Sequence, residues 1–340
     1  MHLLASYPAD GQGTNAALNA AVDCDTPTPE CPVPTDAAIE LRFDRFLLPG
    51  RFNGYQLADG TLAPGLVLYT GRRGNAVGLQ TEYDVIERVV TLRPTRALQP
   101  NALYTVEIQP GATPLQGFYA FDRAPLEAGD VPLRFSFSTG SGPSARVPPT
   151  VSADDCESMT QGPLSTCAGC HATIPADDSG PRQFPPMGLD LSSTRGLYYT
   201  AVARVAHQTE TANSIARTGV QTPVRFGEQM NIVDPGNPAT SYLLYKLLQK
   251  PENFRLLDAE RGCPTAYHSP VVEGGCTPPD PAELARVREW FVHGDPMPKD
   301  GRTADGRALP ASTDYATLRR ISAWISNGAS CPAPNSADSP

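Results

Sequence analysis

The chain has 340 residues, 36 of them proline and 29 glycine, and a formal net charge of −9. The sequence pI of about 5.1 disfavours nucleic acid or an anionic membrane surface as a partner, and no apolar run reaches the roughly 18 residues needed to span a bilayer. The length accommodates two domains with separate cores, and the breaker-rich composition favours strands and turns over a mainly helical body.

The N-terminus, Met1-His2-Leu3-Leu4, lacks a charged segment followed by an apolar one, so no signal peptide is expected at this start; a leader was removed or lies upstream. From there to about residue 140 the pattern is β. Alternation of apolar and polar residues is clear in Ile39-Glu40-Leu41-Arg42-Phe43, Tyr104-Thr105-Val106-Glu107-Ile108 and Leu133-Arg134-Phe135-Ser136-Phe137, the period of a half-buried strand. Apolar runs at Leu66 to Tyr69 and Val89 to Leu92 add two more strands, with turns at Asp59-Gly60 and Gly71 to Asn75. Short strands at this spacing predict an antiparallel sandwich, and Leu98-Gln99-Pro100 ahead of Tyr104 has the form of a tyrosine corner. Asp44, Asp59 and Asp84 read as turn residues rather than metal ligands. The segment resembles bacterial immunoglobulin-like domains of exported proteins. The resemblance is carried by Ser6-Tyr7-Pro8-Ala9-Asp10-Gly11, Phe43-Asp44, the Leu98 to Tyr104 corner and Phe135-Ser136-Phe137-Ser138-Thr139-Gly140.

Residues 141–155, with Ser141-Gly142-Pro143-Ser144 and Pro148-Pro149, read as a linker. Beyond it the character turns helical. Cys156 to Thr166 predicts a short helix leading into Cys167-Ala168-Gly169-Cys170-His171, and Thr173 to Pro186 a long loop. Leu197 to Ala206 has helical periodicity, and Asn237 to Ser241 opens an apolar helix, Tyr242 to Leu248. Asp280-Pro281 is an N-cap followed by proline at the first helical position, starting a helix to His293 that Gly294 stops. A last helix begins near Ser312 or Thr313, carries Leu318, Ile321, Trp324 and Ile325 on one face, and ends at Gly328.

The pentapeptide at Cys167 is C-x-x-C-H, the attachment signature of a c-type haem. Two thiols one helical turn apart can add across the two vinyl groups of one porphyrin, and the histidine that follows lies under the ring as proximal ligand. The competing readings are a redox dithiol and half of a zinc site. Setting Cys167 and Cys170 aside leaves six of the eight cysteines, an even number that reads as three disulfides in an exported chain. Proximity pairs Cys24 with Cys31 and Cys263 with Cys276, leaving Cys156 with Cys331.

The second half, Cys156 to Cys331, resembles the class I cytochrome c domain. The resemblance rests on Cys167-x-x-Cys170-His171, Gly188-Leu189-Asp190-Leu191-Ser192, Val233-Asp234-Pro235-Gly236-Asn237-Pro238 leading into Ser241-Tyr242-Leu243, Gly294-Asp295-Pro296-Met297-Pro298, and Trp324-Ile325-Ser326-Asn327-Gly328-Ala329. It implies that Met297, in a Met-Pro pair, is the second axial ligand of the iron. The domain departs from that family in its length, in the excursion between Cys263 and Cys276, and in an additional helix before Met297. Among the other methionines and histidines, Met187, Met230, His207 and His293 compete for the distal position; Met159 is too close to Cys167 to reach over the ring.

The expected architecture is therefore multidomain: an immunoglobulin-like β-sandwich over residues 1–140, a linker over 141–155, and a mainly α cytochrome c domain over 156–340 with a disulfide-pinned insertion at 258–280. The expected function is an exported, periplasmic or cell-surface monohaem cytochrome that passes single electrons through one covalent haem c held by Cys167, Cys170, His171 and Met297. It is not expected to be an enzyme, and the sandwich would dock or space it. Its partners would be redox proteins, ones with a basic face given the acidic chain. The alternatives are an adhesion or scaffold protein with an accessory haem, and the haem subunit of a redox enzyme. A haem with both axial positions filled has no open site for substrate, so the distal ligand separates carrier from catalyst.

Overall fold

A computed structural model describes residues 1–14, 31–48, 65–108, 110, 118–144, 154–174, 182–207, 209, 229–250, 278–298 and 313–331. The chain divides into two compact units, one built on Met1–Pro149 and the other on Thr150–Tyr267 with Cys276–Pro340.

The first unit is all-β in its described residues. Seven strands, β1 (Leu3–Tyr7), β2 (Ile39–Phe43), β3 (Leu66–Thr70), β4 (Leu79–Asp84), β5 (Val89–Pro94), β6 (Leu103–Ile108) and β7 (Arg134–Ser138), form two antiparallel sheets ordered β1-β2-β5-β4 and β3-β6-β7. The alternation read in the sequence is the burial pattern: Ile39, Leu41 and Phe43 of β2 are buried and Glu40 and Arg42 are not fully so. Phe43 stacks on Phe118 with ring centroids 5.4 Å apart, and Phe46, Phe121, Phe135 and Phe137 are fully buried. The tyrosine corner forms, the hydroxyl of Tyr104 accepting from the amide of Gln99 at 2.8 Å. Asp84 accepts from the backbone amide of Ile86, two residues on, as a turn residue does, whereas Asp44 accepts from the amide of His2, far away along the chain. Asp59 lies outside the described residues. Strands β1 and β4 were not expected. In β4 the buried positions are Leu79 and Tyr83, four apart, so the period of two is hidden among polar residues; in β1 Leu3 alone is fully buried.

The second unit holds five helices among its described residues: α1 (Cys156–Gln161), α2 (Thr194–Thr200), α3 (Tyr242–Leu248), α4 (Pro281–Trp290) and α5 (Tyr315–Ser326). Their starts follow capping chemistry. Asp155 and Ser158 form a reciprocal capping box on α1, and Asp280 and Asp314 accept from the amides of Ala282 and Thr317. α1 packs against α2, and α3 against α5, around fully buried Trp324, Tyr245, Tyr315 and Phe291; Tyr245 meets Phe291 edge-on with centroids 5.1 Å apart. Cys156 and Cys331 form a disulfide, and the amide of Cys156 donates to the carbonyl of Ser330 at 2.9 Å.

Three helix boundaries differ from the sequence expectation. α1 stops at Gln161, and a separate short 3-10 turn carries Cys167–Gly169. α2 starts at Thr194 and ends at Thr200, well before Ala206, because the backbone turns at Ala203 (φ 54°) and Val202 and Val205 bridge to Val233 and Asn231 instead. α4 ends at Trp290, three residues before His293. Cys31 is disulfide-bonded, while Cys24, Cys263 and Cys276 lie outside the described residues, as does most of the insertion at 258–280.

Candidate functional site

The 3-10 turn that follows α1 sets the spacing of the two cysteines. Cys167 hangs from the carbonyl of Leu164 at 2.9 Å, and its own carbonyl accepts from the amides of Cys170 at 3.2 Å and His171 at 2.8 Å. Three consecutive site residues are thus fixed by one tight turn. Both thiols are free, whereas the other described cysteines, Cys31, Cys156 and Cys331, are disulfide-bonded. Burial pushes the Cys167 thiol pKa up against the opposing hydrogen bond of Thr166.

His171 is fastened from the other side. Its carbonyl accepts from the amide of Leu191 at 2.7 Å. Its Nδ1 is sealed inside the protein without a well-formed hydrogen bond, and the backbone of Leu189 approaches the imidazole. Burial lowers the imidazole pKa, with Leu189 opposing and the charge of Lys246 assisting, so the ring is held neutral, the form in which histidine binds a metal. With Nδ1 turned into the protein, the ring has Nε2 left to present.

The Leu189–Leu191 segment owes its position to Asp190. Its carboxylate accepts from the hydroxyls of Thr173 at 2.7 Å and Ser192 at 2.6 Å, and its backbone exchanges hydrogen bonds with Thr200 of α2. Gly196 makes this approach possible: a Cβ there would lie 2.7 Å from the Asp190 carboxyl and 2.9 Å from its backbone oxygen.

The opposite side is organised by α3. The amides of Tyr242 and Leu243 donate to the carbonyls of Asn231 and Ile232 at 2.8 and 2.9 Å, which anchors the helix start. The helix then presents Tyr242, Leu243, Lys246 and Leu247 to a cavity of about 470 Å³. Cys167, Cys170, His171, Leu189, Leu191, Ala206 and Ile232 line the same cavity, together with Asp295, Met297 and Pro298 from the loop after α4. Two lysines tie that loop to α3: Lys246 Nζ donates to the carbonyl of His293 at 2.6 Å, and Lys250 Nζ to that of Pro298 at 3.0 Å.

The four sequence-predicted site residues therefore share one cavity wall system. Of the competitors, Met187 and His207 also line it. Met187 comes from the segment stitched to His171 and is 59% exposed. Met230 is buried away from the lining, its carbonyl accepting from the amide of Ala206, and His293 contributes a carbonyl rather than a lining side chain. Sequence reasoning missed Lys246, Lys250 and Tyr242. A lysine among the apolar residues of a short helix was the available signal.

A c-type haem is the group this motif implies, and the residues present fit it. Two free thiols on one turn, a neutral imidazole with Nδ1 sealed, a thioether, and a largely apolar lining that includes Leu189, Leu191, Ile232, Leu243 and Leu247 surround one volume. Among the described residues no group of three or more Cys, His, Asp and Glu converges as a metal-ligand set, and no helix is long and apolar enough to cross a membrane.

Residues 5–139 match the family of bacterial Ig-like domains, which agrees with the two antiparallel sheets of the first unit. No curated protein matches the chain. Solved structures similar to it include the S-layer protein rSbsC(31-844), domains 1–6 of the surface layer protein SbsC, and the N-terminal part of SbsC. Each is 9% identical, with TM-scores of 0.23, 0.23 and 0.22. The matches cover 45%, 45% and 44% of this chain but 18%, 18% and 30% of those chains, so this chain spans less than a third of each.

Proposed function

We propose that this chain is an exported monohaem c-type cytochrome that carries single electrons, with the Ig-like unit as a docking or spacing module. One observation carries the reading: the thiols of Cys167 and Cys170, the imidazole of His171 and the thioether of Met297 line a single apolar cavity. Cys167 and Cys170 would hold the haem covalently, and His171 and Met297 would be its axial ligands. Bound there, the haem supplies a one-electron iron couple whose potential is raised by a thioether ligand and by an apolar surround. The chain's own residues do the rest. The Asp190 network holds Leu189 against His171 and so sets the orientation of the imidazole. Leu191, Ile232, Leu243 and Leu247 supply the apolar wall against the ring.

Export is supported by the Cys156–Cys331 disulfide, since such bonds persist in oxidising compartments, and by the match of the first unit to bacterial Ig-like domains. Redox proteins are the partners that this reading calls for.

The test is made on protein produced in a host with a haem-attachment system. Mass spectrometry of the denatured chain should show one haem retained, and Cys167→Ala with Cys170→Ala should abolish it. Reductive titration should give one one-electron wave, and the ferrous protein should resist carbon monoxide. Zinc in place of haem, or haem lost on acid extraction, refutes the cytochrome reading. Rapid carbon monoxide binding with peroxide turnover replaces the carrier with an enzyme.

A further inference from the structure

The loop that brings Met297 to the cavity is tied to α3 by two contacts that the motif does not require. Lys246 and Lys250 are four residues apart, one helical turn, and so share a face. Lys246 lies in the last turn of α3 and Lys250 just beyond it, where the chain is still bonded back to the carbonyl of Leu247. Their ammonium groups reach two carbonyls of one loop, His293 at 2.6 Å and Pro298 at 3.0 Å, and Met297 lies between those two carbonyls in the chain. Lys250 is only 6% exposed, and burying an ammonium is costly unless a strong acceptor meets it. Here backbone carbonyls accept from both lysines, and Asp295 of the same loop adds its charge beside Lys246. The arrangement therefore ties one loop by hydrogen bonds as well as by charge. It places two cationic donors where they can act on a single loop.

The chemistry of the ligand gives this a purpose. A thioether is a neutral and weak donor. It cannot draw its own loop in by charge, as a thiolate or carboxylate would, and it competes with water, with exogenous ligands, and with Met187 and His207, which line the same cavity. Whether it stays on the iron depends on how far the loop is already in place before it binds. Gly294, at φ 80°, lets the chain turn back after α4, and two charge-assisted hydrogen bonds then hold the returned segment at both ends.

We propose that Lys246 and Lys250 are positioning residues for the distal ligand: together they clamp the carbonyls of His293 and Pro298 to helix α3 and hold the Met297 thioether at the haem iron. The proposal rests on the haem reading with Met297 as axial ligand.

The experiment uses the full haem-loaded chain and its Lys250→Met, Lys246→Gln, Lys250→Arg and Met297→Ala variants, with Arg288→Met as a surface control. The readouts are haem content by mass, far-ultraviolet circular dichroism, the red-edge sulfur-to-iron charge-transfer band of the oxidised protein, and carbon monoxide affinity of the reduced protein. With haem content and ellipticity retained, Lys250→Met and Lys246→Gln should lose most of the band and bind carbon monoxide more tightly, on the order of tenfold or more, the worth of a hydrogen bond from a charged group. Lys250→Arg should restore much of the band, and Arg288→Met should leave it unchanged. In the Met297→Ala background Lys250→Met should add nothing further, because the clamp acts only through that ligand.

The failures separate. A parent chain without haem overturns the cytochrome reading and the clamp with it. A Met297→Ala variant that keeps the band overturns the ligand assignment. If both of those hold and the lysine variants keep band and affinity, the clamp alone is wrong. Loss of fold in both lysine variants, with haem absent, also overturns it, since the lysines would then serve the fold and not the ligand.

Discussion

Tyr104 is 2% exposed and stacks on Phe137 with centroids 5.7 Å apart, while its hydroxyl accepts from the amide of Gln99. Tyr104→Phe keeps the ring and removes the acceptor, leaving that amide unmet. Stability of the first unit should fall by about 1–2 kcal/mol, read as a lower urea midpoint at unchanged slope; an unchanged midpoint would show that water replaces the hydroxyl. Asp190 answers to pH. Burial raises its pKa, but the hydrogen bonds from Ser192 and Thr173 outweigh it, and the carboxyl lies below its ordinary value. A group depressed in the folded state contributes its full stability above its unfolded pKa, near 3.8, and loses it as pH falls toward the folded value. The melting-temperature advantage of the parent over Asp190→Asn should thus be constant from neutrality to about pH 4 and shrink below it. An advantage that persists to the lowest pH at which both fold would count against this linkage.

Helix α3 is the element on which both the core and the site depend. Leu244 and Leu248 are fully buried and lie off the cavity lining, while Leu243 and Leu247 face the cavity. Leu244→Ala should cost about 2–5 kcal/mol in cooperative unfolding of the second unit, with haem attachment per folded molecule preserved, because the substitution lies on the core side. The helix was legible as an apolar run behind Asn237-Pro238 and has the expected bounds, Tyr242–Leu248. α2 was legible only in part. Helical periodicity continues to Ala206, but Val202 and Val205 pair with Val233 and Asn231, and such non-local bridges leave no trace in local spacing.

At the scale of the molecule, the Cys156–Cys331 disulfide joins residues 175 apart and ties the start of α1 to the segment beyond α5. The chain-entropy model gives such a loop about 5 kcal/mol. Cys156→Ser with Cys331→Ser should lower the urea midpoint of the second unit strongly and leave that of the first unit in place; equal loss in both would show that they unfold as one. Cutting the chain between residues 144 and 154 should leave a second fragment that folds, is red and is redox-active, and a first fragment that folds without haem. A second fragment that fails to fold alone would contradict two separate cores.

What the sequence determined by itself was whatever depends on neighbours along the chain. The alternation of β2 and β6, the cap Asp280, the Tyr104 corner and the C-x-x-C-H turn are all set within a few residues, where backbone sterics and short hydrogen bonds decide. The pairing of Cys156 with Cys331 was read by elimination, and the structure forms it. Only the tertiary structure decided which distant side chains meet. It sets Met297, Met187 and His207 on the cavity and leaves Met230 and His293 off its lining, because that depends on where loops return after crossing the unit. It also brings Lys246 and Lys250 to the carbonyls around Met297. A lysine written among leucines says only that a charge must be accommodated; the acceptor that accommodates it lies 47 or 48 residues away.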